Sequence, residues 1–365
     1  MRTGTAVLPL HGGKAPSWLF SRMVLLSREV LAHVVAEYGA SEVLRRFSDP
    51  FWFQAFGCVL GFDWHSSGVT TTVTGAVKEA IRGTERDFGF WAAGGKGGTS
   101  RRAPSEITAA CESLSREPAP LVYASKMAAK VDSAAVQDGY DLYHHAFFFT
   151  PAGDWCVVQQ GMSDQAGTAR RYHWLSETLP SFVNEPHAAV CCDARGEALN
   201  LVAAENAPVR DASAELSRQP PTATLSAAAS LPRLELPGRH DIRREDIRTP
   251  YLEKILAKTY ERAPEDFETL LGMPGVGGKT LRALALVSEV IYGTPASMRD
   301  PARFAFAHGG KDGHPFPVDR QTYDRTIGVL HGALDKARLD RSEKIRAFKR
   351  LARFAAEPST TVRAP

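Results

Sequence analysis

The chain of 365 residues is 44% hydrophobic and 23% charged, with 30 Gly and 23 Pro, the make-up of a soluble globular protein and not of a fibrous or wholly disordered one. A single core stops growing at roughly 250 to 300 residues, so the length points to two domains or three. The net charge of +3 is unevenly spread, −3 over residues 1–238 and +6 over residues 239–365, which puts the cationic excess in the C-terminal third, where a polyanion would be met.

No run reaches the ~18 apolar residues of a membrane span, and the first thirty residues lack the basic, apolar, small-residue order of a secretory signal. A cytoplasmic protein without membrane contact is expected. The five cysteines, Cys58, Cys111, Cys156, Cys191 and Cys192, include no CxxC spacing, which argues against a disulfide framework and a zinc ribbon. Cys191 and Cys192 read as buried strand thiols.

From the N-terminus, TGTAVLPLHGGK reads as a short strand running into a glycine turn, and residues 16–47 read as one helix on the spacing of Leu19, Met23, Leu26, Val30, Leu31, Val34 and Val35. Asp49-Pro50 opens the aromatic stretch PFWFQAFGCVLGFDWH, too apolar to be left in water and expected at the centre of a core. Helices are expected at 70–81, 104–114 and 125–136, with the Gly-rich basic sequence AAGGKGGTSRR as a loop between the first two. HHAFFFT and DWCVVQQGM around the turn signal Pro151-Ala-Gly-Asp154 read as a β-hairpin, and 187–192 and 198–202 as further strands. Pro, Ser, Ala and Arg then dominate 207–238, which reads as a linker. Beyond it, helices are expected from Thr249-Pro250, over Pro264 to Leu271, over Lys279 to Tyr292 with Gly293 just past the end, and over 341–354. The fold class is α+β: a mixed α and β domain over 1–206, the linker, and an all-helical domain over 239–365.

The most specific motif is LLGMPGVGGKT, Leu270 to Thr280, placed between two expected helices. It resembles the helix-hairpin-helix element of DNA-repair and recombination proteins. Gly275 and Gly277 would let the backbone N–H groups of the turn approach a phosphate at the positive end of the next helix, Val276 would pack inward, and Lys279 and Thr280 would add charge and a hydroxyl. Gly278 and Arg282 complete the expected contact set. The alternatives are a glycine-rich turn between core helices, and a nucleotide P-loop, which would need Gly where Met273 stands and a strand before it.

Downstream, Pro317-Val318-Asp319 resembles the aspartate signature of helix-hairpin-helix DNA glycosylases, which implies Asp319 as catalytic carboxylate and Lys279 as amine nucleophile. On its residues alone, Asp319 reads first as a helix cap or ion-pair partner. No Cys follows Cys192, so no iron–sulfur cluster of the kind some of those enzymes carry is expected.

In the N-terminal part, polar residues border apolar or glycine-rich stretches: His11 and Lys14, then Asp63, His65 and Ser66, then Asp138, Asp141, His144 and His145, and finally Gln159 and Gln160. A carboxylate before a hairpin with a polar residue at the end of the next strand is how many nucleases hold Mg²⁺, a layout that Asp141 with Gln159 or Gln160 follows except that Gly161-Met162 replaces its lysine, and Asp141, His144 and His145 are the catalytic candidates for a nuclease using Mg²⁺ or Mn²⁺. The histidine pair reads otherwise as a plain strand start. Lys96, Arg101 and Arg102 could approach phosphates from their loop.

Taken whole, RTGTAVLPLHGGKAPSWLFSRM, GFDWHSSGVTTTVTGAVKEAI, YHHAFFFTPAGDWCVVQQGM and AHGGKDGHPFPVDRQTYDRTI make the chain similar to an uncharacterised bacterial and archaeal family, domain of unknown function 763. That resemblance implies that hairpin and N-terminal region belong together and implies no activity. The expected function is non-sequence-specific DNA binding in repair or processing. The alternatives are a metal-dependent nuclease, a glycosylase or lyase using Lys279 and Asp319, and a scaffold for a protein partner.

Overall fold

The computed structural model describes residues 15–62, 67–165, 167–192, 196–230, 249–302 and 320–356. The first helix, α1 (Ser17–Tyr38), turns Met23, Leu26, Val30, Leu31 and Val34 inward on one stripe. It stops at Gly39, whose φ of +84° no helix accommodates, so the single helix expected over 16–47 is two, α1 and α2 (Ala40–Ser48). Asp49 then caps α3 (Pro50–Leu60) by accepting from Phe51 N at 2.8 Å and Trp52 N at 3.2 Å, with Pro50 at the first helical position. The aromatic stretch is this helix, and it is buried along its length. Two more helices follow, α4 (Gly68–Ile81) and α5 (Glu85–Phe88).

The sequence AAGGKGGTSRR, expected as a loop, instead begins inside β1 (Trp91–Lys96) and continues as a 3-10 turn over Gly97–Arg102. Its glycines serve close approach: a Cβ on Gly94, at φ +82°, would stand 2.2 Å from the carbonyl oxygen of His145 on the neighbouring strand. After α6 (Ala103–Ser113) and α7 (Ala119–Lys130), a π turn over Val131–Ala135 leads to β2 (Val136–Gln137). The expected hairpin is β3 (Asp141–Phe149) with β4 (Trp155–Ser163), followed by β5 (Thr168–Leu175), β6 (Ala189–Cys191) and β7 (Leu199–Asn200). Residues expected as a linker form α8 (Ala207–Arg218) and α9 (Pro221–Ser230). The remaining helices are α10 (Thr249–Arg262), α11 (Phe267–Gly272), α12 (Gly278–Tyr292), α13 (Arg320–Lys336) and α14 (Arg341–Ala356).

One antiparallel sheet of order β1-β3-β4-β5-β6 organises these helices in layers, and β2 pairs with β7 apart from it. Because successive strand residues point to opposite faces, Phe147, Phe149, Val157, Tyr172 and Trp174 share a core with α6, α7, α8, α10, α11 and α12. Ala146, Phe148, Cys156, Val158 and Leu175 share the other with α1, α2, α3, α4, α13 and α14. In the first of these cores α10 to α12 pack on α7, α8 and α9, and in the second α13 and α14 pack on α1 and α3. All five cysteines are buried free thiols. Among the described residues no helix is long and apolar enough to cross a membrane.

Candidate functional site

The sheet register carries two polar rows across what is otherwise an apolar layer. Lys96, His144, Gln160, Arg171 and Cys191 are successive cross-strand partners, and so are Gly95, His145, Gln159, Tyr172 and Val190. His144 and His145 are neighbours in sequence, so the strand's period of two sends them to opposite faces. His144 belongs to the α4 side, where its Nε2 lies 3.0 Å from Thr74 Oγ1. His145 belongs to the α7 side, where its Nε2 lies 2.8 Å from Ser125 Oγ.

On the α7 face the network is continuous. Gln159 Nε2 donates to Asp132 Oδ2 at 2.5 Å and to Ala128 O at 3.2 Å, which leaves Gln159 Oε1 to accept from His145 Nδ1 at 2.7 Å. His145 Nε2 then accepts from the Ser125 hydroxyl. Asp132 also takes Trp174 Nε1 at 3.0 Å and His187 Nε2 at 2.5 Å. Beside it, Asp138 accepts from Arg170 Nη1 at 2.8 Å and Tyr172 OH at 2.7 Å, and Arg170 Nη2 reaches Asp300 Oδ2 at 2.8 Å. Burial on this face pushes the His145 pKa down, partly opposed by its bond to Gln159.

On the α4 face, Arg171 Nε donates to His173 Nε2 at 2.9 Å, and its terminal nitrogens reach Gln54 Oε1 at 3.2 Å. His173 Nδ1 donates to Phe47 O at 2.8 Å. Gln160 is held by Thr70, by Tyr143 and by Ser67 O at 2.8 Å. Thr74 spends its hydroxyl proton on Thr70 O at 2.8 Å, so His144 donates from Nε2 and carries no proton on Nδ1. Burial is the first cause of each shift here. It holds His144 down at about 3, helped by His145 and Lys96, sends His173 well below its ordinary value, and lowers Arg171 to about 10.

These networks are buried and largely bonded within themselves, with His144 Nδ1 left without a hydrogen-bond partner among the described residues, and they do not assemble the metal site expected from the sequence. Asp141 is exposed and pairs with Met162, while Gln160 stands opposite His144 further along the strand, so Asp141 joins neither glutamine nor histidine. Asp141, His144 and His145 therefore do not converge, and their arrangement does not fit Mg²⁺ or Mn²⁺. Among the described residues no group of three His, Cys, Asp or Glu side chains could hold a metal ion. His11, Lys14, Asp63, His65, Ser66 and Asp319 lie outside the described residues. Lys96 stands over the Tyr143 ring, 5.9 Å from its centre, and Arg101 and Arg102 are exposed.

The motif 270–280 does lie at the surface, between two helices. Asp266 caps α11 by accepting from Thr269 N at 2.7 Å, and α12 begins after Gly277 without a side-chain cap. The turn between them is closed by Val276 N donating to Met273 O at 3.3 Å and bends at Gly275, φ +93°. Val276 packs inward as expected. Gly275 and Lys279 are exposed, and Gly277 and Gly278 are half-buried. Three side chains fix the turn from outside the motif: Lys130 Nζ donates to Met273 O at 2.9 Å, Gln137 Nε2 to Gly278 O at 2.8 Å, and Tyr251 OH to Gly275 O at 2.9 Å. Two expected contacts are otherwise employed. Thr280 is buried beneath the helix start, which keeps its hydroxyl from a surface ligand, and Arg282 Nε donates to Gln137 Oε1 at 2.8 Å. Sequence reasoning missed Lys130, Gln137 and Tyr251, which come from other elements and carry no motif. It also missed Arg170, Arg171 and His173, whose polar character conceals that β5 is buried, and Asp132 and His187, which join the network from the π turn and from the segment before β6.

A family model described as "Protein of unknown function (DUF763)" matches residues 4–318. No curated protein and no solved structure matches the chain.

Proposed function

Since the chain belongs to the DUF763 family, whose description assigns no chemistry, we propose from the geometry that it binds DNA without sequence preference, by the phosphate backbone, in DNA repair or processing. The observation that carries this reading is the surface turn between α11 and α12. Gly275 gives it a left-handed bend, α12 opens on glycines with no side chain capping its first N–H groups, and Lys279 stands exposed in that first turn. A 15-residue helix presents the positive end of its dipole at such a start, and glycines let an anion approach the backbone. Lys130 adds a second positive charge at Met273 O, and Gln137, with Arg282 behind it, holds the helix start in place. In this reading the motif is a helix-hairpin-helix whose phosphate ligands are the turn amides, Lys279 and Lys130, with Arg282 as support.

The test is the salt dependence of affinity. With about three phosphates neutralised, log Kd against log salt on duplex DNA has a slope near 3 in magnitude, because each contact releases ~0.9 counterion. Lys279→Ala is expected to weaken binding on every sequence alike and to lower that slope by about 1. Binding that ignores salt, or a silent Lys279→Ala, sinks the reading and moves the turn to a protein partner.

A further inference from the structure

Beside the turn stands a feature that phosphate contact does not use. Tyr251 begins the first turn of α10, its hydroxyl is fixed on the Gly275 carbonyl at 2.9 Å, and its side chain remains 49% exposed. A tyrosine tethered at its hydroxyl has given up the rotamer freedom that a stacking partner would otherwise cost it. Lys254 and Lys258 follow at i+3 and i+7 on the same face of α10, both exposed, and neither forms an ion pair with a described residue. At 1.5 Å per residue the row from Tyr251 to Lys258 is ~10 Å long. The adjoining stripe of α10 is anchored in the core through Leu252, Ile255 and Leu256, and Ile255 also meets the turn: a Cβ on Gly275 would stand 2.7 Å from its Cδ1. Glu261, at i+3 from Lys258, continues the same stripe and ends the row, whereas Glu253, at i+2 from Tyr251, faces another side, so the cationic row is a short track and not a broad basic face.

An aromatic ring fixed between an anion-accepting turn on one side and a row of lysines on the other is the arrangement that holds a single strand, with a base on the ring and phosphates on the charges. A paired duplex offers its phosphates to the turn but keeps its bases stacked within the helix. We infer that Tyr251 is a stacking platform for an unpaired nucleobase, and that the surface formed by Tyr251, Lys254, Lys258 and the turn takes single-stranded or single-strand-tailed nucleic acid in preference to blunt duplex. This rests on the nucleic-acid reading above and names its substrate class.

The experiment is fluorescence anisotropy of the full chain with four labelled probes: a 20-nucleotide single strand, the matching blunt duplex, that duplex with a single-stranded tail, and a 20-unit abasic strand that keeps phosphates and lacks bases. The single strand and the tailed duplex are expected to bind at least fivefold tighter than the blunt duplex and the abasic strand. Tyr251→Ala and Tyr251→Leu should each lose about tenfold on the first two probes, in line with the 1–3 kcal/mol of one base–aromatic stack, and change the other two by less than twofold. Tyr251→Phe keeps the ring and should stay within about threefold throughout. Equal losses on all four probes would mean that Tyr251 only braces the turn, which overturns the platform. Silent Tyr251 variants alongside an effect of Lys279→Ala overturn it too and leave the phosphate reading standing. Absence of binding to every probe defeats both. Thermal melts of each variant identify any loss that comes from misfolding.

Discussion

The three buried histidines of the sheet make stability depend steeply on acid. His144, His145 and His173 are fully enclosed, and burial depresses the pKa of each, that of His144 to about 3. In the unfolded chain all three titrate near 6.5. Below that pH the unfolded state binds protons that the folded state refuses, so the stability present above pH 6.5 is lost as pH falls, down to the folded pKa. For a ring kept neutral throughout, as His144 is, going from pH 7 to pH 5 costs about 2 kcal/mol. His145 and His173 add to that loss in the same direction, a large share of the roughly 5–15 kcal/mol that holds a typical domain. Urea unfolding at pH 8, 7, 6 and 5 measures this. The control is His144→Leu. His144 donates to a Thr74 hydroxyl whose own proton is already placed on Thr70 O, and its Nδ1 has no hydrogen-bond partner among the described residues. Its removal therefore strands no donor, and at pH 8 the variant should lie within about 1 kcal/mol of the parent. Between pH 7 and pH 5 it should recover about 2 kcal/mol of the loss. A variant that keeps the full acid sensitivity, or a parent equally stable at pH 5 and pH 7, refutes the argument that these rings stay neutral.

Two further expectations concern packing. Arg170 is 1% exposed and shared between Asp138 and Asp300, so Asp300→Ala should cost about 3 kcal/mol, read as a lower urea midpoint, because a buried guanidinium then keeps one carboxylate of two; a loss below about 1 kcal/mol would show that water compensates the charge. Gly94→Ala should cost more than about 2 kcal/mol or abolish soluble yield, since both its positive φ and a backbone carbonyl 2.2 Å from the new Cβ resist it. Ordinary stability in that variant would mean that β1 can part from β3 at little cost.

The elements legible in the sequence were those whose signal is local. Alternation and Pro151-Ala-Gly-Asp154 located the β3–β4 hairpin, Thr249-Pro250 marked the start of α10, and Gly293 stands at φ +65° just past α12. β5 was not legible, because Arg170, Arg171 and His173 look like surface residues until their partners on α3, β5 and the 296–302 segment are known. The same reasoning applies to AAGGKGGTSRR: glycine run and basic flank read as a loop, yet the glycine at 94 is there to let two strands meet. At the candidate site, the turn itself was legible from Gly275 to Lys279. Its bracing by Lys130, Gln137 and Tyr251 was not, since each lies more than twenty residues away in the chain. For His144 and His145, period two alone already separates the pair across the sheet.

The last five helices described above close the two cores from outside, α10 to α12 over α7, α8 and α9, and α13 with α14 over α1 and α3. The C-terminal third is thus a clasp and not an appendage. Removing α13 and α14 would strip Leu330, Ala333, Leu334 and Leu351 from the helices they cover and open the core shared with α1 to α4 to water, while the turn between α11 and α12 belongs to the core on the other side of the sheet. An event that loosens the clasp on one side therefore has a route to the turn through the sheet between the two cores, whose middle is the pair of polar rows.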